Sequence, residues 1–429
     1  MSKALPMLAV LAFATIGCGD TTPPKLTDDP IAVGPTDWPW WRGPTGDGVA
    51  DAKQTVPLTW SEKENILWKA EIPGRGHSSP TIVGDQVFLA TAEPERQAQL
   101  VLCLDRKTGN KLWQTDVHVG GLLPEKNAKA SSASSTVACD GKRVFISFLT
   151  NGAIYTTALD REGKKLWQVK VSDFVSHQGF GASPTLVGPL VLVSADNKGG
   201  GVIVGLDRES GKTVWSVDRP KLPNYTTPVV LTIDGKEQAI LIGCDMVTSL
   251  DPLTGKKLWE SKGATTECVT STVTDGKHVF TTGGYPRNHV AAMRADGSGK
   301  VDWENGSRVY VPSMLFLDGY LYALQDAGMA VCVKADTGKQ VWTSGRLGKG
   351  AGFTASPVRV GEHIFAISEA GTTFVFKATP DGFKQVSENQ LGTDAFASPA
   401  ICGDRIYLRI GTTSAGKRQE VLYCVGKQK

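Results

Sequence analysis

The chain has 429 residues, of which 41% are hydrophobic and 21% are charged, with a formal net charge of +3. So small a charge, without a long run of Lys or Arg, argues against a nucleic-acid partner. The six His residues are scattered along the chain and give no metal-ligand spacing.

The N-terminus has the organisation of an export signal. Lys3 precedes an apolar run over residues 4–16, which is long enough for a signal-peptide core and too short to span a bilayer. The run ends in Thr15-Ile16-Gly17-Cys18, which resembles the lipobox of bacterial lipoproteins. We therefore expect residues 1–18 to be a signal peptide and Cys18 to be lipidated. A cleaved but unlipidated signal is the alternative.

Two further segments precede the main body of the chain. Residues 19–37 are rich in Pro, Thr and Asp and lack hydrophobic periodicity, so they are predicted to be a flexible tether. Residues 38–65 begin with a Trp-rich stretch and are predicted to be a strap packed across the domain that follows. No later stretch is apolar for long enough to cross a membrane, so we expect attachment by lipid alone.

One phrase recurs from there on with a period of about 44 residues. Its first complete copy is Leu104-Asp105-Arg106-Lys107-Thr108-Gly109-Asn110-Lys111-Leu112-Trp113. The Asp side chain caps a turn, the Gly supplies a positive φ, and the Trp begins an outer strand. We predict that the repeated indole rings are core, wedged between sheets, and not a cofactor box. They belong to Trp68, Trp113, Trp167, Trp215, Trp259, Trp303 and Trp342.

A second phrase interleaves with the first. It runs Ser79-Pro80-Thr81-Ile82-Val83-Gly84-Asp85-Gln86-Val87-Phe88-Leu89 and predicts a strand, a tight turn and a strand. Its relatives begin near Ser135, Ser183, Thr227, Ser271, Ser313, Ser356 and Ser398. Each pair of phrases makes one four-stranded blade, with strands A to D from the channel outwards. The chain is therefore predicted to be all-β, an eight-bladed β-propeller over residues 66–429.

The last copy indicates how the ring closes. No Trp-bearing D strand follows Val425, whereas Ile66–Glu71 carries a spare one ahead of the first A strand. Pairing the two is predicted to close the ring and to remove the exposed edges of an open sheet. The copy that contains Phe374 is the most degenerate, with Val386 where a Trp is expected.

Together the two phrases resemble the pyrroloquinoline-quinone-like (PQQ-like) repeat over residues 66–429, and Trp38–Val49 resembles the lead-in of exported planctomycete-type members. This superfamily includes the BamB lipoprotein, a scaffold of the outer-membrane β-barrel assembly machinery, and the quinoprotein dehydrogenases. Similarity to BamB implies a monomeric, non-catalytic cell-envelope protein that binds protein or peptide partners. Similarity to the dehydrogenases implies the alternative, an oxidoreductase that uses PQQ and Ca²⁺.

The residues that such an enzyme needs are missing from the sequence. Its eight Cys include no adjacent pair and no Cys-x-x-Cys-His haem site. It also lacks a His-Glu-x-x-His motif, a phosphate-binding loop and a nucleophile elbow. We therefore predict no catalytic residue, no resident cofactor and no metal site, with PQQ and Ca²⁺ as the alternative.

The cysteines are predicted to be buried and structural. Equivalent positions in different blades lie too far apart to bridge. Such positions are Cys103, Cys332 and Cys424 in strand C, and Cys139 and Cys402 before the A–B turn. The one disulfide that the sequence does not argue against is a bond between Cys244 and Cys268. His289 is predicted to be a solvated residue of a B–C loop.

The natural recognition surface of a propeller is the channel mouth, where the connections from strand D to the next strand A cluster. Aromatic and basic residues there are typical of a partner-binding patch. The candidate binding residues are Arg75, His77, His177, Phe180, Tyr225, Arg308, Tyr310, Phe353 and Phe396, with Lys126, Lys129, Arg346 and Lys349 nearby. The alternative is that the rings only plug the mouth and pack between blades.

Overall fold

The computed structural model describes residues 26–125, 129–348 and 350–428. The signal peptide with Cys18, and also Lys126 and Lys349, lie outside these ranges, so what the sequence predicts for them stays a prediction. Within them the one helix is the 3-10 turn Pro94–Arg96, and no helix has the length and apolar character needed to cross a bilayer.

Eight antiparallel sheets of four strands each confirm the predicted propeller. Blade 1 contains β2 (Thr81–Val83), β3 (Gln86–Glu93), β4 (Ala98–Asp105) and β5 (Lys111–Val119). Blade 2 contains β6 (Ala138–Cys139), β7 (Arg143–Thr150), β8 (Ala153–Asp160) and β9 (Lys165–Asp173). Blade 3 contains β10 (Thr185–Val187), β11 (Leu190–Ser194), β12 (Gly201–Asp207) and β13 (Thr213–Arg219). Blade 4 contains β14 (Val229–Ile233), β15 (Lys236–Gly243), β16 (Met246–Leu250) and β17 (Lys257–Lys262).

The second half of the ring repeats this order. Blade 5 contains β18 (Val273–Thr274), β19 (His278–Gly283), β20 (His289–Arg294) and β21 (Val301–Asn305). Blade 6 contains β22 (Leu315–Leu317), β23 (Tyr320–Leu324), β24 (Met329–Lys334) and β25 (Gln340–Arg346). Blade 7 contains β26 (Val358–Val360), β27 (His363–Ile367), β28 (Thr372–Lys377) and β29 (Gln385–Gln390). Blade 8 contains β30 (Ala400–Ile401), β31 (Ile406–Ser414), β32 (Lys417–Val425) and, from the other end of the chain, β1 (Ile66–Ile72).

The N-terminal strand closes the ring, as predicted. Strand β1 pairs antiparallel with β32, with Trp68 opposite Cys424 and Ile72 opposite Glu420. The eighth blade therefore has the same four strands as the others, and its outer edge is supplied by the first strand of the chain.

A ring of hydrogen bonds joins the innermost strands. In seven of the links a backbone amide donates to the side-chain hydroxyl of the equivalent residue in the next blade, at 2.8–3.1 Å. The residues are Ser79, Thr136, Ser183, Thr227, Ser271, Ser313, Ser356 and Ser398. The recurring hydroxyl of the second phrase thus has a structural cause. In blade 2 the register places Thr136, not Ser135, at this position.

The recurring Trp residues pack between neighbouring blades, as predicted. A Cβ atom added to Gly109 would lie 2.5 Å from the indole ring of Trp68 in the preceding blade, and φ of Gly109 is +75°. The Trp68 Nε1 atom donates to the backbone carbonyl of Arg106, again across the blade boundary. Gly and Trp recur together because six of the seven indole rings lie on the turn glycine of the next blade. Trp342 is the exception, since a Cβ atom on Gly382 would meet nothing within 4 Å.

Strand D of blade 7 lacks this Trp, and a Trp from the strap lies in its place. The register pairs Val375 with Ser387 and leaves Val386 in a bulge, so Ser387 and not Val386 holds the Trp position. The indole ring of Trp60, from the strap, instead stacks on Phe365, with centroids 6.3 Å apart and an interplanar angle of 20°. In blade 1, Trp113 lies 6.0 Å from Phe88 in the equivalent place.

Two local predictions can be judged directly. His289 is not a solvated loop residue: it begins β20, it is 2% exposed, and its Nδ1 atom lies 3.0 Å from Glu304. His289 pairs with Gly283 in the antiparallel ladder of β19 and β20, so the B–C loop ends at residue 288 and His289 belongs to the strand. The seven described cysteines are buried and unpaired, so Cys244 and Cys268 form no disulfide.

Candidate functional site

The A–B and C–D turns lie on one face of the ring, here called the lower face, and the strap (residues 38–65) crosses it. Trp38 forms a β-bridge with Ile82 of blade 1. The amide of Ala50 donates to the carbonyl of Arg359 in blade 7, at 2.8 Å. Residues 26–37, which belong to the segment predicted to be a tether, also lie on this face. Asp29, for example, pairs with Lys142 and Arg143 of blade 2.

The strap closes the lower end of the channel. Trp41 Nε1 donates to Ser271 Oγ at 2.8 Å, next to the one point where the hydroxyl ring has no link among the described residues. Arg42 is 2% exposed and donates to the carbonyl of Met314 at 2.6 Å. Burial lowers the pKa of Arg42 to about 10, so it remains charged at neutral pH. The indole of Trp41 borders cavities on both sides of it and separates them.

The opposite, upper face carries the D–A connections and the B–C turns, and it opens into a cavity of about 380 Å³. Aromatic rings, carboxylates and small polar groups line this cavity. Its larger side chains are Trp41, His77, Lys129, Gln178, Phe180, Tyr225, Glu267, Tyr310, Asp326, Phe353, Glu369 and Phe396. The channel is thus a pocket with one open end.

The structure brings six of the nine candidate binding residues to this cavity: His77, Phe180, Tyr225, Tyr310, Phe353 and Phe396. Arg75, His177 and Arg308 lie outside its described lining. His177 Nδ1 is 3.2 Å from Tyr225 Oη, and Arg308 Nε donates to Asp326 at 3.2 Å. Phe353 is 2% exposed and packs against Phe374, so it also belongs to the core.

Three carboxylates of the cavity were missed by the sequence analysis. Glu267 lies in the connection between blades 4 and 5, and Asp326 and Glu369 lie in the B–C turns of blades 6 and 7. Asp326 and Glu369 were missed because only the D–A connections were considered as the channel mouth, and the B–C turns lie on the same face. A signal for them exists, because an acidic residue followed by Ala-Gly recurs in the same turn, as Asp326-Ala327-Gly328 and Glu369-Ala370-Gly371.

His77 is held neutral at the edge of the cavity. Its ring stacks on Phe396, with centroids 4.7 Å apart. Burial, and then the nearby charges of Arg75 and Arg409, lower the pKa of His77 to about 3. An uncharged imidazole is therefore what the site presents at neutral pH.

We expect NMR titration to show the His77 ring uncharged at pH 5. Since the unfolded chain binds this proton near pH 6.5 and the folded chain near pH 3, the stability due to neutral His77 is complete above pH 6.5 and is lost as the pH falls towards 3. His77→Gln should remove this part of the acid sensitivity of the unfolding free energy. Titration of His77 near pH 6.5 would contradict the assignment.

The fold and its repeats define the class of protein. Eight blades built from alternating Ser- and Trp-bearing phrases, closed by the N-terminal strand, make an eight-bladed propeller of the PQQ-like type. A family model described as outer membrane protein assembly factor BamB matches residues 49–146 and 97–344. The chain belongs to that family.

Individual relatives share the fold at low identity. BamB of Burkholderia pseudomallei (strain K96243) is 28% identical over 222 residues, which span 49% of this chain and 50% of that protein. BamB of Yersinia pestis is 21% identical over 383 residues, which span 83% and 89%. The crystal structure of quinohemoprotein alcohol dehydrogenase from Comamonas testosteroni matches with a TM-score of 0.65 at 14% identity, over 92% of this chain and 81% of that one. This last likeness shows the fold alone.

The lining of the cavity does not fit PQQ with Ca²⁺. A calcium ion takes six to eight oxygen ligands from carboxylates, carbonyl groups and waters. Here Asp326 is bonded to Arg308 and Glu369 to Lys129. Among the described residues no group of three or more His, Cys, Asp or Glu side chains is placed to hold a metal ion. The described cysteines are free and buried, so they supply no disulfide at this cavity.

Proposed function

We propose that the protein is a non-catalytic cell-envelope protein that binds a protein or peptide partner through its upper face. One observation carries the proposal: the strap seals the lower end of the channel with Trp41 and Arg42, while the upper end opens into a pocket rich in aromatic rings. Aromatic groups in a water-excluding pocket are what anchors partner side chains most strongly. Membership of the BamB family supports a protein partner.

Export and attachment belong to the same proposal. The signal peptide would direct export, and the lipidated Cys18 would hold the mature propeller at a membrane, with the strap turned to one side and the open pocket to the other. We propose that it acts there as a monomer.

A photocrosslinking amino acid placed at Tyr310 tests the proposed face. In an envelope extract from native cells it is expected to give a discrete crosslinked species, because Tyr310 lines the open pocket. The matched control is the same amino acid at Glu162, an exposed residue of a C–D turn on the lower face. Equal crosslinking from both positions, or none from Tyr310, would overturn the face assignment.

The rival function is a small-ligand or quinone binder with redox activity. The cavity volume favours it, because 380 Å³ lies within the range of about 300–1,000 Å³ that is usual for small-ligand sites. Titration with PQQ and Ca²⁺, followed by thermal shift and dye-linked alcohol oxidation, separates the two functions. A large shift with turnover would replace the scaffold proposal, and we expect neither.

A further inference from the structure

The pocket is negatively charged on one side. Glu267, Asp326 and Glu369 come from neighbouring parts of the ring, and their side chains are 10%, 20% and 17% exposed. Burying a carboxylate costs free energy unless it is compensated, so three of them at one cavity need counter-charges or hydrogen bonds. How each is compensated indicates what else the pocket binds.

Two of the counter-charges are weakly held. Lys129 pairs with Glu369 at 2.7 Å, and Arg308 pairs with Asp326 at 3.2 Å. The lysine and arginine side chains are themselves 61% and 59% exposed. Ion pairs with so exposed a partner contribute little to stability. The Lys129 pair also shows directly that an ammonium group fits against this lining.

Among the described residues Glu267 is compensated differently. Its ion-pair partner is His177 Nδ1 at 3.4 Å, and no Lys or Arg pairs with it within the described ranges. Tyr225 meets it at the same imidazole, since Tyr225 Oη lies 3.2 Å from His177 Nδ1. Tyr310 is close by, since its ring lies on Gly284, next to Tyr285, whose carbonyl accepts from the Glu267 amide at 3.5 Å. Glu267 is therefore a largely buried carboxylate that lines the cavity together with Tyr225 and Tyr310.

We propose that the pocket binds a cationic side chain, lysine or arginine, presented by a peptide partner, with Glu267 as its counter-ion. Aromatic faces attract cations through the ring quadrupole, and the attraction grows where water is excluded. Tyr225 and Tyr310 supply those faces, and the carboxylate supplies the charge. This inference rests on the proposed function, because it names the group that the partner inserts.

Calorimetric titration of the full chain with three capped pentapeptides tests it. The peptides place lysine, arginine or norleucine at the centre of four glycines. We expect the lysine and arginine peptides to bind at least about tenfold more tightly than the norleucine peptide, whose chain is as long but uncharged. Added NaCl should weaken the first two and leave the third unchanged, since salt screens charge.

Variants assign the effect to one carboxylate. Glu267→Gln should weaken lysine-peptide binding about tenfold with an unchanged melting temperature, whereas Glu162→Gln on the lower face should have no effect. Equal binding of the norleucine peptide, or binding unaffected by Glu267→Gln, overturns the inference. If crosslinking from Tyr310 persists in that case, the partner face stands and only its cationic ligand is wrong. If crosslinking fails too, the proposed function falls with it.

Discussion

Arg409→Met is expected to lower the free energy of unfolding by about 3 kcal/mol. Arg409 and Glu420 are each about 2% exposed, and the guanidinium of Arg409 also donates to the carbonyl of Ala90 at 2.7 Å. The side chain thus ties blade 8 to blade 1 at the seam where the ring closes. Its removal leaves a buried carboxylate with a single cation, Arg418, at 3.1 Å. We expect urea unfolding to show the loss.

The matched control is Arg96→Met, which breaks the ion pairs with Glu93 and Asp116 of an arginine that is 49% exposed. A surface pair contributes about 1 kcal/mol at most, so this variant should stay close to the parent protein. Adding Glu420→Gln to Arg409→Met should restore part of the stability, because the two residues act as one unit. Equal effects of the two arginine variants would show that the seam does not depend on the buried pair.

Trp60→Ala is expected to cost about 3–5 kcal/mol, as large-to-small changes of buried aromatic residues do. The ring is 4% exposed and fills the space that a blade-7 tryptophan would occupy against Phe365. Hydrogen exchange should report the loss first in β29, whose Ser387 and Asn389 bond to the strap beside it. The expectation fails if blade 7 keeps its protection in the variant.

Trp60→Phe separates packing from hydrogen bonding. The Nε1 atom of Trp60 is buried without a partner among the described residues, whereas Trp68 Nε1 donates to Arg106 at 3.0 Å. Trp60→Phe should therefore cost less than Trp68→Phe, since only the second change removes a hydrogen bond. The reverse order would indicate that Trp60 does more than fill space.

The ring of blades was predictable because the blades carry two recurring signals, a hydroxyl residue just before strand A and, in all but blade 7, a Trp in strand D. Ser79 and its equivalents bond around the channel, and Trp68 and its equivalents pack between blades, so each copy has a physical cause. Blade 7 was misjudged because its C–D turn is one residue longer: the paired residue Gln385 follows Gly382 by three positions, whereas Lys111 follows Gly109 by two. The place of the missing tryptophan is taken by Trp60, and its contact with Phe365 joins residues that are far apart in the sequence.

The site was predictable in part. The aromatic residues that precede the A strands were recognised in the sequence, and most of them line the cavity, because each A strand is the innermost of its blade. Sequence could not show that Trp41 crosses from the strap into the channel, or that Lys129 reaches from the connection after blade 1 to Glu369 of blade 7. Both contacts join segments whose spacing follows no repeat.

The pairing of β1 with β32 also has a consequence for synthesis. The ribosome releases β1 before any other strand of the propeller and β32 after all of them. Because the first strand meets its partner only after the seven intervening blades have been synthesised, closure requires a contact between the two ends of the propeller. A nascent chain stalled before β32 would therefore expose an unpaired strand at one end and an incomplete blade at the other.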